Sequence, residues 1–294
     1  PRFLYDLKNE LWLNGNMFAI ILNPTLTLRV GPLIIYTWGL LVSIGIILGL
    51  TIAWYLSKKE KLNFDHILNI SLISIILGFI GARLLFIFLE PNLFQNPVEM
   101  IRLWDGGLSS YGGLLLAIFV SLIYIKKKKL DALKYADLFV LPITLAFAVA
   151  RIGCVIANEH LGKITDLSWG ITVNNITRHP ISAYESIILF LLFLILIIGR
   201  KNFIKIKGFS AFFALTWYSL FRFIIDNFKD FEGKAFNYYA NQIFLLLVFI
   251  ISFYFLYKKI MWYNRADEIT NTKSQIPNNT KWPKLKIQKT FWTF

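Results

Sequence analysis

Seven apolar runs dominate the chain, at roughly 33–56, 67–89, 108–125, 138–157, 181–198, 209–227 and 240–257. Each is close to the ~20 residues a helix needs to cross the hydrocarbon of a bilayer. Only helices or closed barrels satisfy the backbone there, and runs of this length exclude barrel strands. The expected fold is therefore all-α, a polytopic membrane protein of seven transmembrane helices. Lysine-rich linkers alternate with lysine-poor ones: Lys58, Lys59 and Lys61, then Lys126 to Lys129, then Arg200, Lys201, Lys205 and Lys207, then Lys258 and Lys259. Positive-inside asymmetry makes these four linkers cytoplasmic. The N-terminus is then outside and the C-terminus cytoplasmic. Three regions follow: an external segment over 1–32, a seven-helix domain over 33–259, and a basic cytoplasmic tail over 260–294. The run at 138–157 carries Pro142 and Arg151, and it is kept because without it the 126–129 and 158–180 linkers would share a side.

Composition agrees, with 56% hydrophobic and 16% charged residues in 294, which excludes an ordinary soluble domain. The net charge of +14 comes mainly from short lysine clusters. They suit anionic lipid rather than nucleic acid, for which no aromatic-interleaved basic motif is present. One cysteine, Cys154, excludes an internal disulfide and a cysteine-based metal cluster. His66, His160 and His179 lack ligand spacing, so neither a metal nor a cofactor is expected. The first sixteen residues are mixed and polar, unlike a cleavable signal peptide, and Met17 is a candidate start. The polar, basic stretch 264–294, with Trp282, Phe291, Trp292 and Phe294, is expected to lie on the inner membrane surface.

Charge inside the spans is the functional signal. The stretch 150–186 places Arg151 within one run and Glu185 at the start of the next, with Glu159, His160, Asp166, Trp169, Arg178 and His179 between. Ionisable groups at membrane depth default to a functional reading; the bland alternative is that Arg151 snorkels to the headgroups. Arg83, Arg151 and Arg222 all fall in the outer halves of their spans. The chain has 22 Lys and nine Arg, yet every cation inside a span is Arg. A guanidinium grips phosphate or carboxylate through two parallel hydrogen bonds where lysine offers a point charge. This points to an anion site in the outer leaflet, the anion being a phospholipid. Against it stands plain pairing of Arg83 with Glu90 and of Arg222 with Asp226, the latter four residues apart on one helix face. The glycines of Asp105–Gly113, including Gly106 and Gly107, allow either close backbone approach to a ligand or close helix packing. Trp38 and Tyr111 sit at outer helix ends, where an aromatic belt alone would place them.

Four segments together resemble the bacterial phosphatidylglycerol–prolipoprotein diacylglyceryl transferase family: GPLIIYTWGLL, GARLLFIF, DGGLSSYGGLL, and RIGCVIANEHLGKITDLSWGI followed by RHPISAYES. The last is long and specific. The resemblance implies attack of a prolipoprotein lipobox thiol on the glyceryl C3 of phosphatidylglycerol, forming a thioether and releasing glycerol phosphate. It implies a site facing the outer leaflet of the bacterial plasma membrane, with phosphatidylglycerol, lipobox signal peptides and membrane lipids as partners and no cofactor. Arg151, Glu159, Arg222 and Gly106 match the family's motif positions, and Arg83, Gly107, Trp38, His179 and Glu185 join them as lipid-binding candidates. Departures accompany the match. Trp38 replaces a tyrosine, Tyr111 a histidine, Cys154 an asparagine, Asp226 a longer carboxylate, and Leu161 and Lys163 a Trp and an Arg. The base that takes the thiol proton is open among Tyr111, Glu159 and Asp226. Cys154 as nucleophile is weighed against a small apolar filler. A retinal receptor is disfavoured, since the last span has no lysine, and intramembrane proteolysis too, since GxSG and GxGD motifs are missing. The competing class is a transporter or a non-catalytic lipid-binding homologue whose altered residues mark lost chemistry.

Overall fold

The computed structural model describes residues 27–30, 33–94, 96–102, 107–173, 175–231 and 235–274. The proposed external segment over 1–32 lies almost wholly outside them, as do Met17, Asp105, Gly106 and the chain beyond 274. A hairpin of β1 (Thr27–Val30) and β2 (Leu33–Tyr36) leads into α1 (Thr37–Lys59). Next come α2 (Phe64–Leu89), the short α3 (Pro97–Ile101), α4 (Ser110–Lys127) and α5 (Ala132–Ile156). A second hairpin, β3 (Ile171–Val173) and β4 (Ile176–Arg178), precedes α6 (Ile181–Phe203), α7 (Phe209–Ile225) and α8 (Ala235–Ser274). Seven of these helices are long and apolar enough to cross a membrane, as the apolar runs require. α5 accommodates Pro142 within its 25 residues, so the least regular run is a full span. α8 continues helical to Ser274, where the sequence suggested a loose tail from 264.

The basic ends of the helices gather at one end of the bundle. Lys207 there pairs with Asp131 at 2.8 Å, and Arg200 with Glu60. α6 runs further than its apolar run, so Arg200 is not a loop cation. It lies in the last helical turn, 5% exposed, and also donates to the Asp137 carbonyl at 2.6 Å. The Asp137 carboxylate accepts from the backbone N–H groups of Gly208 at 2.5 Å and Ala211 at 3.0 Å. It thereby satisfies donors that the first turn of α7 leaves without helical partners. The main apolar core lies at this same end, built on Ile67, Leu138, Leu141, Leu192 and Leu196.

α2 and α4 form a tight pair. A Cβ added to Gly81 would come 2.6 Å from the Gly112 carbonyl oxygen. Gly112 is thus spent on close helix packing, one of the two uses open to these glycines. A Ser74–Ser121 hydrogen bond of 2.7 Å ties the same pair at mid-depth. Thr216 and Ser252 do likewise for α7 and α8 at 3.0 Å.

Candidate active site

At the lysine-poor end the apolar core gives way to charge. The last turns of α5 carry Arg151 and Cys154, the first turns of α6 carry Glu185, and α7 ends with Arg222 one turn before Asp226. Glu185, 2% exposed, lies between two guanidinium groups: Arg151 Nε reaches its Oε2 at 2.5 Å, and Arg222 pairs with Oε1. Arg222 Nε also meets Asp226 Oδ1 at 3.1 Å, and Asp226 is fully buried. The network continues through Asn241 of α8, whose amide donates to Asp226, to Tyr111 of α4, whose hydroxyl donates to Asn241. Five helices thus converge on one chain of polar groups. Removing a single partner from such a buried ion pair typically costs about 3–5 kcal/mol, because the remaining charge stays desolvated.

Both arginines retain N–H donors beyond those the two carboxylates accept, since a guanidinium carries five in a planar fork. Held edge to edge by Glu185, they form a preorganised cationic pair, the arrangement needed where negative charge develops on a leaving group. Arg151 NH1 further lies 4.0 Å from Cys154 Sγ, and the Trp38 indole is within hydrogen-bonding reach of the same sulfur.

The linker after α5 folds back over this cluster. Asn158 and His160 adopt left-handed backbone angles, φ 50° and 57°, and the Glu159 N–H returns to the Cys154 carbonyl at 2.9 Å. In consequence a Cys154 sulfur, a Glu159 oxygen and a His160 nitrogen all lie within 4.8 Å of one another. His160 has an accessible edge, yet the protein packed about it pushes its pKa down to about 4, with Arg151, Lys229 and Arg222 adding repulsion. Its imidazole is therefore neutral at physiological pH. Burial lowers the Lys229 ammonium too, helped by Arg222 and Arg151 and opposed by Asp226.

Not every candidate meets here. Arg83 does not pair with Glu90 in the way simple charge matching suggests. It is 6% exposed, and its guanidinium donates to the carbonyls of Glu99 at 2.5 Å, Met100 at 2.9 Å and Gly107 at 3.0 Å. Gly107, at φ +71°, turns the chain so that its carbonyl faces that arginine. Both shape the loop between α2 and α4. His179 belongs to a neighbouring group, with Nδ1 3.1 Å from the Tyr184 hydroxyl, which also accepts from the Trp169 indole at 3.0 Å. Gly106 lies outside the described residues. The Arg222–Asp226 pairing is present, but as one link of the larger network. Asn241, Tyr218 and Lys229 were not anticipated. Tyr218 lies near Arg151 and stands one turn before Arg222, so a Tyr–Arg–Asp ladder at four-residue spacing was a readable signal.

A seven-helix membrane protein whose two arginines are bridged by a buried carboxylate defines a class: an integral membrane protein with an ionic network buried between its helices. Residues 25–258 match the model of the prolipoprotein diacylglyceryl transferases, and the chain belongs to that family. Among similar proteins, the phosphatidylglycerol–prolipoprotein diacylglyceryl transferase of Clostridioides difficile is 37% identical over 193 residues, covering 65% of this chain and 77% of that one. The Finegoldia magna enzyme of that name is 34% identical over 193 residues, 65% of this chain and 78% of its own. That of Staphylococcus aureus is 30% identical over 250 residues, 80% of this chain and 89% of its own.

Proposed function

We propose that this chain transfers the diacylglyceryl group of phosphatidylglycerol to the lipobox cysteine thiol of a prolipoprotein. The arginine pair bridged by Glu185 is the observation that carries the reading. In this mechanism Arg151 and Arg222 bind the phosphate, and the thiol sulfur attacks glyceryl C3. The C3–O bond breaks, and glycerol phosphate leaves with its new negative charge facing the two guanidinium groups. Asp226 is buried and engaged by Arg222 and Asn241, and Tyr111 donates its proton to Asn241. Glu159 is the accessible carboxylate and takes the thiol proton. The lysine asymmetry supports a cytoplasmic lysine-rich end, and with it a site in the outer leaflet of the bacterial plasma membrane, where translocated precursors emerge. The 33–259 region forms the catalytic domain.

The test is direct. Membranes containing the protein, supplied with phosphatidylglycerol and a lipobox peptide, should yield a peptide heavier by one diacylglyceryl group and resistant to hydroxylamine, as a thioether is. A peptide unchanged in mass under conditions where a related transferase modifies it would overturn the reading.

A further inference from the structure

We propose that Asn241 is a positioning residue for the transfer step: its amide spans Tyr111 and Asp226 and so fixes, from α8, the carboxylate that aims Arg222 at the departing phosphate. This deepens the transferase reading above and rests on it. It gives a part in the chemistry to a helix that carries none of the four resembling segments.

Donors and acceptors allow one arrangement here. An ionised carboxylate only accepts, so the Asp226 oxygen takes the Asn241 NH2 group and the amide oxygen is left for a donor. That donor is the Tyr111 hydroxyl. Arg222 Nε meets the other Asp226 oxygen at 3.1 Å. Asp226 is thus held from two sides, by α7 through Arg222 and by α8 through Asn241. Held from one side only, it would be free to draw the Arg222 guanidinium away from Glu185. A side chain that only accepts, or one with no polar atoms, cannot replace the amide, which must accept at one end and donate at the other.

The backbone beneath the amide is pinned. Gln242 Nε2 donates to the Phe223 carbonyl at 3.2 Å and the Tyr238 hydroxyl to Asn227 Oδ1 at 2.8 Å, which fastens α8 to the end of α7 on either side of Asn241. Tyr111 is held by α8 twice, because its ring also meets Phe244 edge-on with centroids 6.2 Å apart. Asn241 and Phe244 are three residues apart and share a helix face. Both ends of the bridge are positions where the chain departs from the resembling family, Tyr111 for a histidine and Asp226 for a longer carboxylate. The amide fits the two departures to each other.

No bond is made to Asn241 in the step itself. As the C3–O bond breaks, charge grows on the phosphate oxygen, and a donor stabilises it fully only if already aimed. Loss of the amide therefore falls mainly on kcat rather than on KM for phosphatidylglycerol.

The experiment uses the full chain in nanodiscs of graded phosphatidylglycerol content, with a lipobox peptide. Asn241→Leu, similar in size but without polarity, should lower kcat by about ten- to a hundredfold, the scale of a buried polar group left unmet, and change KM little. Adding Tyr111→Phe to that variant should cost almost nothing more, because the hydroxyl acts through the amide. Asn241→Asp supplies a test that folding alone does not move. A carboxyl carrying a proton can donate to Asp226 and accept from Tyr111 as the amide does; without the proton it can only accept. Position 241 faces Asp226, with Arg222, Tyr218 and Lys229 close behind, and Tyr111 from α4. The two carboxyl groups titrate as a pair. Transfer by Asn241→Asp should therefore pass through a maximum and fall at a pH where the wild-type rate is still rising with the thiolate, whose thiol titrates at about 8.5. Wild-type kcat in Asn241→Leu, or a pH profile for Asn241→Asp that follows the wild type's, would overturn the proposal and leave the transferase reading standing. A wild-type chain that modifies no peptide at any pH would overturn both.

Discussion

Glu185 sits at the centre of the site, because one carboxylate aligns two cations that would otherwise repel each other across a poorly solvated interior. Glu185→Ala should therefore destabilise the protein by about 3–5 kcal/mol as well as abolish transfer, visible as a large fall in thermal midpoint in detergent. Glu185→Gln should recover part of the midpoint through hydrogen bonding but little of the activity. Arg151→Lys tests the chemistry with less disturbance. It keeps the charge beside Glu185 but loses the fork, and transfer should fall by an amount equivalent to about 2.7–4 kcal/mol, the scale for one lost donor at a developing anion; unaltered turnover would reduce Arg151 to an anchor. Tyr111→Phe should be milder, since the hydroxyl supports Asn241 rather than being buried among charges. A loss of about 0.5–1.5 kcal/mol, a few-fold to tenfold in rate, is expected. Arg151, Arg222 and Glu185 were legible in the sequence because charge within an apolar run is conspicuous. Asn241 was not, since one amide in a span has many structural uses, and the carbonyl partners of Arg83 were not legible because sequence does not show which backbone carbonyls a guanidinium will meet.

At the scale of helices, the lysine-rich end is stapled by groups that take no part in the site. Glu60 and Arg200 are both nearly inaccessible and join the end of α1 to the end of α6. Glu60→Ala should cost about 3–5 kcal/mol by stranding Arg200, while kcat of the protein that remains folded stays at the wild-type value. That combination separates fold from chemistry. Asp131 makes a lesser contact in the open. Its hydrogen bond with Lys207 is the main reason its carboxyl titrates below the ordinary carboxylate range. The unfolded chain therefore binds the proton first as pH falls, so the stabilisation is complete at neutral pH and is lost through the lowered pKa. Asp131→Asn should therefore lower stability slightly at neutral pH, leave it unchanged in strong acid, and so flatten the acid limb of a pH–stability curve. Helix existence was readable from apolar length, but helix ends were not. α6 outruns its apolar stretch because Arg200 found an acidic partner 140 residues away, a contact that local hydropathy does not encode.

Across the whole molecule, packing and chemistry are segregated: the main apolar core occupies the lysine-rich end and the ionic network the other. Reporter fusions after Lys61, Lys129, Lys207 and Lys259 should all read cytoplasmic if the lysine asymmetry sets orientation; an external reading at Lys129 would remove α5 as a span and the site with it. The number of spans was recoverable from sequence because the bilayer imposes a length, whereas the meeting of α4 with α8 through Tyr111 and Asn241 depends on tertiary packing that periodicity does not report. α8 has a consequence of its own. At 40 residues and 1.5 Å per residue it is about 60 Å long, twice the ~30 Å of hydrocarbon a bilayer offers. The surplus makes a stiff boom on the side away from Arg151, so a reporter or affinity handle attached beyond Ser274 would be carried well clear of the opening through which lipid and peptide must pass.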